Sequence, residues 1–175
     1  MELIKEIIID NPPTKWSLVY KKPKSYKDGK PVLKQDFYLT ANLFYSDRTS
    51  YHIISNIIQD CKLFLKSKIG KLPELEKMRL EVEYHHTKDI DLDNKNYFWC
   101  KLFLDILKKP TEKQLENAKK RNKVIVTTNT IYDDTTKYID EISMKYKKGE
   151  HKLIFRIFGI VKQPEIDLFT NRIIN

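Results

Sequence analysis

The chain has 175 residues, 41% of them hydrophobic and 11% aromatic, enough for one domain with a real core and too apolar for a disordered polymer. Its formal net charge of +9 makes a polyanion the natural partner, because each phosphate neutralised by Lys or Arg releases a counterion. No run of about 18 apolar residues is present to cross a membrane, the first residues lack a signal-peptide layout, and four histidines without ligand-like spacing argue against structural zinc.

Leu3–Ile9 is Ile-rich and reads as a first strand that Pro12-Pro13 ends. Trp16–Lys22 and Val32–Thr40 read as two extended arms with an Asp28-Gly29 hairpin signal between them. Lys21, Lys22, Lys24, Lys27 and Lys30 lie in this region among Tyr20, Tyr26, Phe37 and Tyr38. Such a run is usually a solvated face; mixed with aromatics, it is also a candidate nucleic-acid surface. Thr49–Lys68 has helical periodicity, with Tyr51, Ile54, Ile57, Ile58, Cys61 and Leu65 on one stripe and Gly70 placed to cap it. Met78–His86 alternates apolar and charged residues, as a half-buried strand does. The strand-end pair His85-His86 is expected to be without function, a metal or base role being the alternative.

Asn94–Lys109 reads as a second helix, capped by Asp93 or Asn94 and stopped by Pro110. Its apolar residues cover most of the circumference, which predicts burial on most sides. The exception is a narrow stripe of Asn94, Lys101, Asp105 and Lys108. Glu112–Asn122 reads as a third, very polar helix, and Lys123–Thr128 as strand-like. Ile142–Lys147 and Leu153–Val161 are expected to form a final hairpin turned near Lys148-Gly149; the tail from Lys162 has no assignment. Cys61 and Cys100, each in an apolar helical pattern, are expected to be buried reduced thiols. Intermixed strands and helices point to an α/β or α+β fold, a mixed β-sheet packed against helices.

The chemistry concentrates in Asp91-Leu92-Asp93-Asn94, between the alternating strand and the buried helix. Two carboxylates held close repel unless a cation lies between them. A hard divalent ion such as Mg²⁺ relieves that repulsion, and it can activate water and offset charge on a phosphodiester. Asp134, in the pair Asp133-Asp134, could supply a third carboxylate; the plainer reading is a set of solvated turn aspartates. Lys101 lies on the one polar line leading back to the acidic motif and is the preferred electrostatic stabiliser or proton donor. A Lys101–Asp105 pair on a solvated strip is the alternative, and Lys95 is the competing lysine.

These residues resemble the RusA-like Holliday junction resolvases. The resemblance rests on Asp91-Leu92-Asp93-Asn94, then Lys101 with Phe103-Leu104-Asp105-Ile106-Leu107, then Ile131-Tyr132-Asp133-Asp134, with Ile9–Pro13 compatible. It spans about Tyr84–Ile139. The lysine follows Asp-Asn about one helical turn later than in the family, and the stretch between Asp105 and Asp133 is longer, as if a basic helix were inserted at about 111–123. The resemblance implies a single RusA-like domain over 1–175 with a tail at 162–175, acting as a homodimeric endonuclease on branched double-stranded DNA such as a four-way junction. It also implies a metal site of Asp91, Asp93 and Asp134 for Mg²⁺ (or Mn²⁺), with Lys101 as the catalytic lysine. A cytoplasmic setting and a phage or prophage origin would suit a basic chain without targeting signals. The alternatives are a protein that binds branched DNA without cutting it, and a nuclease for flaps or RNA.

Overall fold

The computed structural model describes residues 1–175 except 21, 23, 24, 48, 90, 91, 164, 168–171 and 175; the side chains of 26, 92, 93, 165–167 and 172–174 are also outside the description. The chain forms one mixed α+β domain around a four-stranded sheet. Its strands are β1 (Glu2–Asp10), β6 (Leu75–His86), β7 (Ile139–Lys148) and β8 (Lys152–Val161), in the order β1-β8-β6-β7. β8 runs antiparallel to both β1 and β6, while β7 runs parallel to β6.

Alternation decides which side of the sheet is core. On β6, Met78, Leu80, Val82 and Tyr84 are buried on one face together with Leu153, Phe155 and Ile157 of β8. Arg79, Glu81, Glu83 and His85 leave the other face. α1 (Tyr51–Ile69) buries Ile54, Ile57, Cys61, Leu65 and Ile69; of the expected stripe, Ile58 is only partly buried and Tyr51, at the first turn, is exposed. It ends at Gly70, whose φ of 69° is one that a side-chain-bearing residue would resist. α2 (Leu92–Leu107) buries Phe98, Trp99, Cys100, Leu102, Phe103, Ile106 and Leu107, as its nearly complete apolar circumference predicts. Phe103 stacks on Phe155 of β8 at 4.0 Å between ring centroids, and Trp99 meets Phe64 of α1 at 6.2 Å, so α2 lies between sheet and α1.

The predicted N-terminal arms form β2 (Lys15–Val19) paired antiparallel with β5 (Lys34–Tyr38). Between them the short β3 (Ser25–Lys27) and β4 (Lys30–Val32) turn at Asp28-Gly29, whose φ values of 50° and 74° suit a tight hairpin. α3 (Glu112–Lys120) starts with a capping box between Thr111 and Gln114 and buries none of its residues. β9 (Glu165–Asp167) and β10 (Arg172–Ile174) pair with each other in the tail.

Two sequence expectations are corrected. Lys123–Thr128 is not a strand. The chain there and just beyond spends its donors on the open carboxyl end of α2: the Thr128 amide donates to Ile106 O (2.8 Å), the Thr130 amide to Leu107 O (2.8 Å) and the Thr127 hydroxyl to Lys108 O. Nor are β7 and β8 a hairpin. β6 sits between them, and the Gly149 amide donates to His86 O at 3.1 Å as the chain crosses that strand's end. β7, mostly exposed and rich in lysine, suits a sheet edge, whereas β6 and β8 carry the apolar rows that belong inside.

Candidate active site at the carboxyl end of β6

β6 delivers the chain to the acidic motif, and α2 leaves from it. Asp91 lies outside the described residues, as do Lys21 and Lys24; Asp93 is in the first turn of α2, but its side chain is not described. Around that end of the sheet the described residues assemble an unusual group of polar side chains. Tyr84, in the core, has its hydroxyl 2.6 Å from Nε2 of His151, the residue just before β8. The His86 and His151 rings meet edge to face with centroids 5.2 Å apart. Lys95, in the first turns of α2, is half-buried, with its ammonium 6.0 Å from the centre of the Tyr38 ring.

The electrostatics follow from burial. Desolvation pushes the Tyr84 phenol up to about 12, so it keeps its proton at neutral pH. Desolvation, then the charges of His86 and Lys95, pull His151 below the ordinary histidine range, which favours neutral imidazole. Desolvation also lowers Lys95. Asn96 is fully buried and donates through Nδ2 to Lys145 O at 3.2 Å, yet its Oδ1 has no partner among the described residues. Asn94 Oδ1 is likewise buried without a hydrogen-bond partner among the described residues. A buried acceptor with no donor is costly, and a hard oxygen of this kind on Asn94, which follows Asp91-Leu92-Asp93 in the sequence, fits a divalent cation. Among the described residues no group of three or more His, Cys, Asp or Glu could hold a metal ion, so a complete donor set would have to draw on 91 and 93.

On the outer face of the same strand end, Glu83 is almost fully buried under charge. Arg156 of β8 joins it (3.1 Å) to Glu6 of β1, Lys147 of β7 reaches it at 3.0 Å, and His85 adds a further bond. Burial opposes ionisation of Glu83, but the hydrogen bonds from His85, Lys147 and Arg156 outweigh it and hold the carboxyl at about 2. This ladder crosses all four strands and fixes the end of the sheet that carries the site.

Asp134 is elsewhere. Lys108 Nζ binds its Oδ2 at 2.9 Å just beyond the carboxyl end of α2. At roughly 1.5 Å per residue, that point is about 22 Å along the helix from residue 93. A single ion, with oxygens about 2.0–2.1 Å away, does not span this gap within one chain. Burial raises the Asp134 carboxyl and the hydrogen bond from Lys108 more than compensates, leaving it below its ordinary value. Asp105 does not pair with Lys101. Lys62 of α1 takes it at 2.9 Å, with Lys108 at 3.7 Å. The polar stripe of α2 therefore faces α1, and Lys101 sits half-buried on it. Of the two candidate lysines, Lys95 is the one that stands beside the histidine cluster. The far end of α2 opens into a cleft of about 1080 Å³ lined by Lys62, Lys108, Arg121, Lys123, Asp105 and Asp133. Lys22, Lys27 and Lys30 are exposed on or next to the β3–β4 hairpin.

Sequence reasoning missed Tyr84, His86 and His151 as a group. The only signal was the His85-His86 pair, and alternation sends its two members to opposite faces. No family model, curated protein or solved structure matches this chain.

Proposed function

We propose that this chain is a metal-dependent nuclease acting on branched DNA, with its site at the carboxyl end of β6. The observation that carries the reading is that the start of α2, with Asn94 Oδ1 buried and without a partner among the described residues and with half-buried Lys95, stands at the same end of the sheet as the His86–His151–Tyr84 group. Asp91, Asp93 and Asn94 would hold Mg²⁺ or Mn²⁺, which when bound activates water and neutralises phosphate charge. Lys95 places a cation where negative charge builds on the phosphodiester. The basic hairpin with Lys22, Lys27 and Lys30, together with the net charge of +9, supplies attraction to the backbone. A homodimer suits this reading. One chain leaves Asp134 tied to Lys108 at the other end of α2, so Asp134 could join the 91–93 carboxylates only from a second copy.

The second reading is a protein that binds branched DNA without cutting it, and the separation of Asp134 from the acidic motif favours it. The test is incision of a labelled four-way junction, a flap and a duplex RNA in Mg²⁺ and in Mn²⁺, with binding followed in parallel. Junction cutting that stops on chelation supports the nuclease; binding without incision of any substrate replaces it with the second reading.

A further inference from the structure

His86 and His151 each have one ring nitrogen claimed by the fold, and the claim decides where the proton sits. The Lys88 amide donates to His86 Nδ1 at 3.1 Å. Nδ1 also lies 3.2 Å from Lys88 O, but the Lys88 N–H, whose direction the backbone fixes, points at Nδ1 and has it as its acceptor, and a ring nitrogen that accepts cannot also carry a proton. Nδ1 of His86 is therefore the acceptor, and a neutral His86 carries its proton on Nε2. His151 is the mirror case. Its Nε2 faces the Tyr84 hydroxyl at 2.6 Å, and Tyr84 sits in the core with no other acceptor among the described residues. Tyr84 donates, so a neutral His151 carries its proton on Nδ1.

We propose that His86 and His151, fixed in these tautomers by Lys88 and Tyr84, form a phosphate-binding site for the nucleic-acid backbone beside the acidic motif. The other ring positions, Nε2 of His86 and Nδ1 of His151, which have no hydrogen-bond partner among the described residues, present N–H donors rather than lone pairs. A metal ion would need lone pairs, and those are occupied; an anion needs donors. The ring centroids lie 5.2 Å apart, and in the proposed site one phosphate accepts from both rings. Lys95 from α2 and Lys148, in register with His86, add positive charge. Against them stands Asp89, 3.9 Å from Lys148. Burial first, then the charges of His86 and Lys95, disfavour protonation of His151 in the free protein. A bound phosphate offsets those charges, so binding and proton uptake are linked: affinity rises as pH falls through the histidine range.

The proposal rests on the nuclease reading for its ligand but not for its readout, because binding is followed without metal and without cutting. Long-range ¹H–¹⁵N correlation spectra of the metal-free wild type report the tautomer of each of the four histidines. His151 is expected as the Nδ1–H form and His86 as the Nε2–H form. Adding a short DNA duplex should move both resonances and raise the pH at which both rings titrate. His52 on α1 and His85, bonded to Glu83 on the outer face, serve as internal controls. Gln substitution at both His86 and His151 should weaken duplex binding about tenfold, the scale of one or two hydrogen bonds to a charged group. Inorganic phosphate alone should give the same shifts only at much higher concentration. Opposite tautomers, duplex-induced shifts no larger than those of His52, or equal potency of free phosphate would each overturn the proposal, whether or not the protein cuts DNA.

Discussion

Replacing Glu83 by Gln tests how the site end of the sheet is held. The carboxylate is 4% exposed and is shared by Arg156, Lys147 and His85. Those hydrogen bonds, set against burial, bring its pKa from 4.5 to about 2. At about 1.4 kcal/mol per pKa unit, this corresponds to at most about 3.5 kcal/mol of stability. Lys147 is well exposed and its contribution is screened, so about 2 kcal/mol is expected. For a domain of this size that lowers the melting temperature by about 4–8 °C at neutral pH. The sign of the pH dependence follows from the depressed value. The stabilisation is present above the unfolded pKa near 4.5 and is lost as pH falls toward 2. Urea unfolding of wild type and Glu83→Gln across this range should therefore give a constant difference above about pH 5 that shrinks below it. Equal stabilities at neutral pH, or a difference that persists undiminished to about pH 3, would refute the account of Glu83.

Gly159→Ala should destabilise by about 1–3 kcal/mol in the same unfolding assay, because the new Cβ would lie 2.8 Å from Leu75 Cδ1 and 3.1 Å from Lys77 O in a packed position. Thr111→Ala removes the capping box of α3, which buries no residue; amide exchange in that helix should accelerate while the global melting temperature stays nearly unchanged. Cys61 and Cys100 are buried and desolvation pushes both thiols up to about 12, so a thiol reagent should label neither until the protein unfolds.

Local pattern made the individual elements legible. The apolar circumference of α2, the stripe of α1 and the alternation of β6 each record how much of an element is buried, and each matches what is observed save at Tyr51, which the first turn of α1 leaves exposed. Pattern does not record the neighbour. The rows of Ile142–Lys147 and Leu153–Val161 fit a hairpin as well as they fit two strands flanking β6, and only the depth of burial of β8 against the exposure of β7 separates the cases. Val124-Ile125-Val126 has strand composition, but nearby Thr127, Thr128 and Thr130 find acceptors in the end of α2 first. The same limit applies to the site. The acidic motif was visible because its residues are adjacent in sequence. Tyr84 and His151 meet only because β8 pairs with β6, and Asp134 is separated from the motif by the length of a helix whose rigidity the spacing alone did not convey. Lys101 shares the polar stripe with Asp105, and Lys62 of α1, a residue outside that helix, decides where the stripe faces.

The central claim is that residues at the carboxyl end of β6 hydrolyse a phosphodiester. The most direct measurement is the single-turnover incision of a labelled four-way junction in Mg²⁺ by wild type and by Asp93→Asn, with junction affinity measured on the same preparations. The account predicts cleavage products from wild type, none above background from Asp93→Asn, and comparable binding by both. Binding by both with identical product yields, or with no products from either, would contradict it.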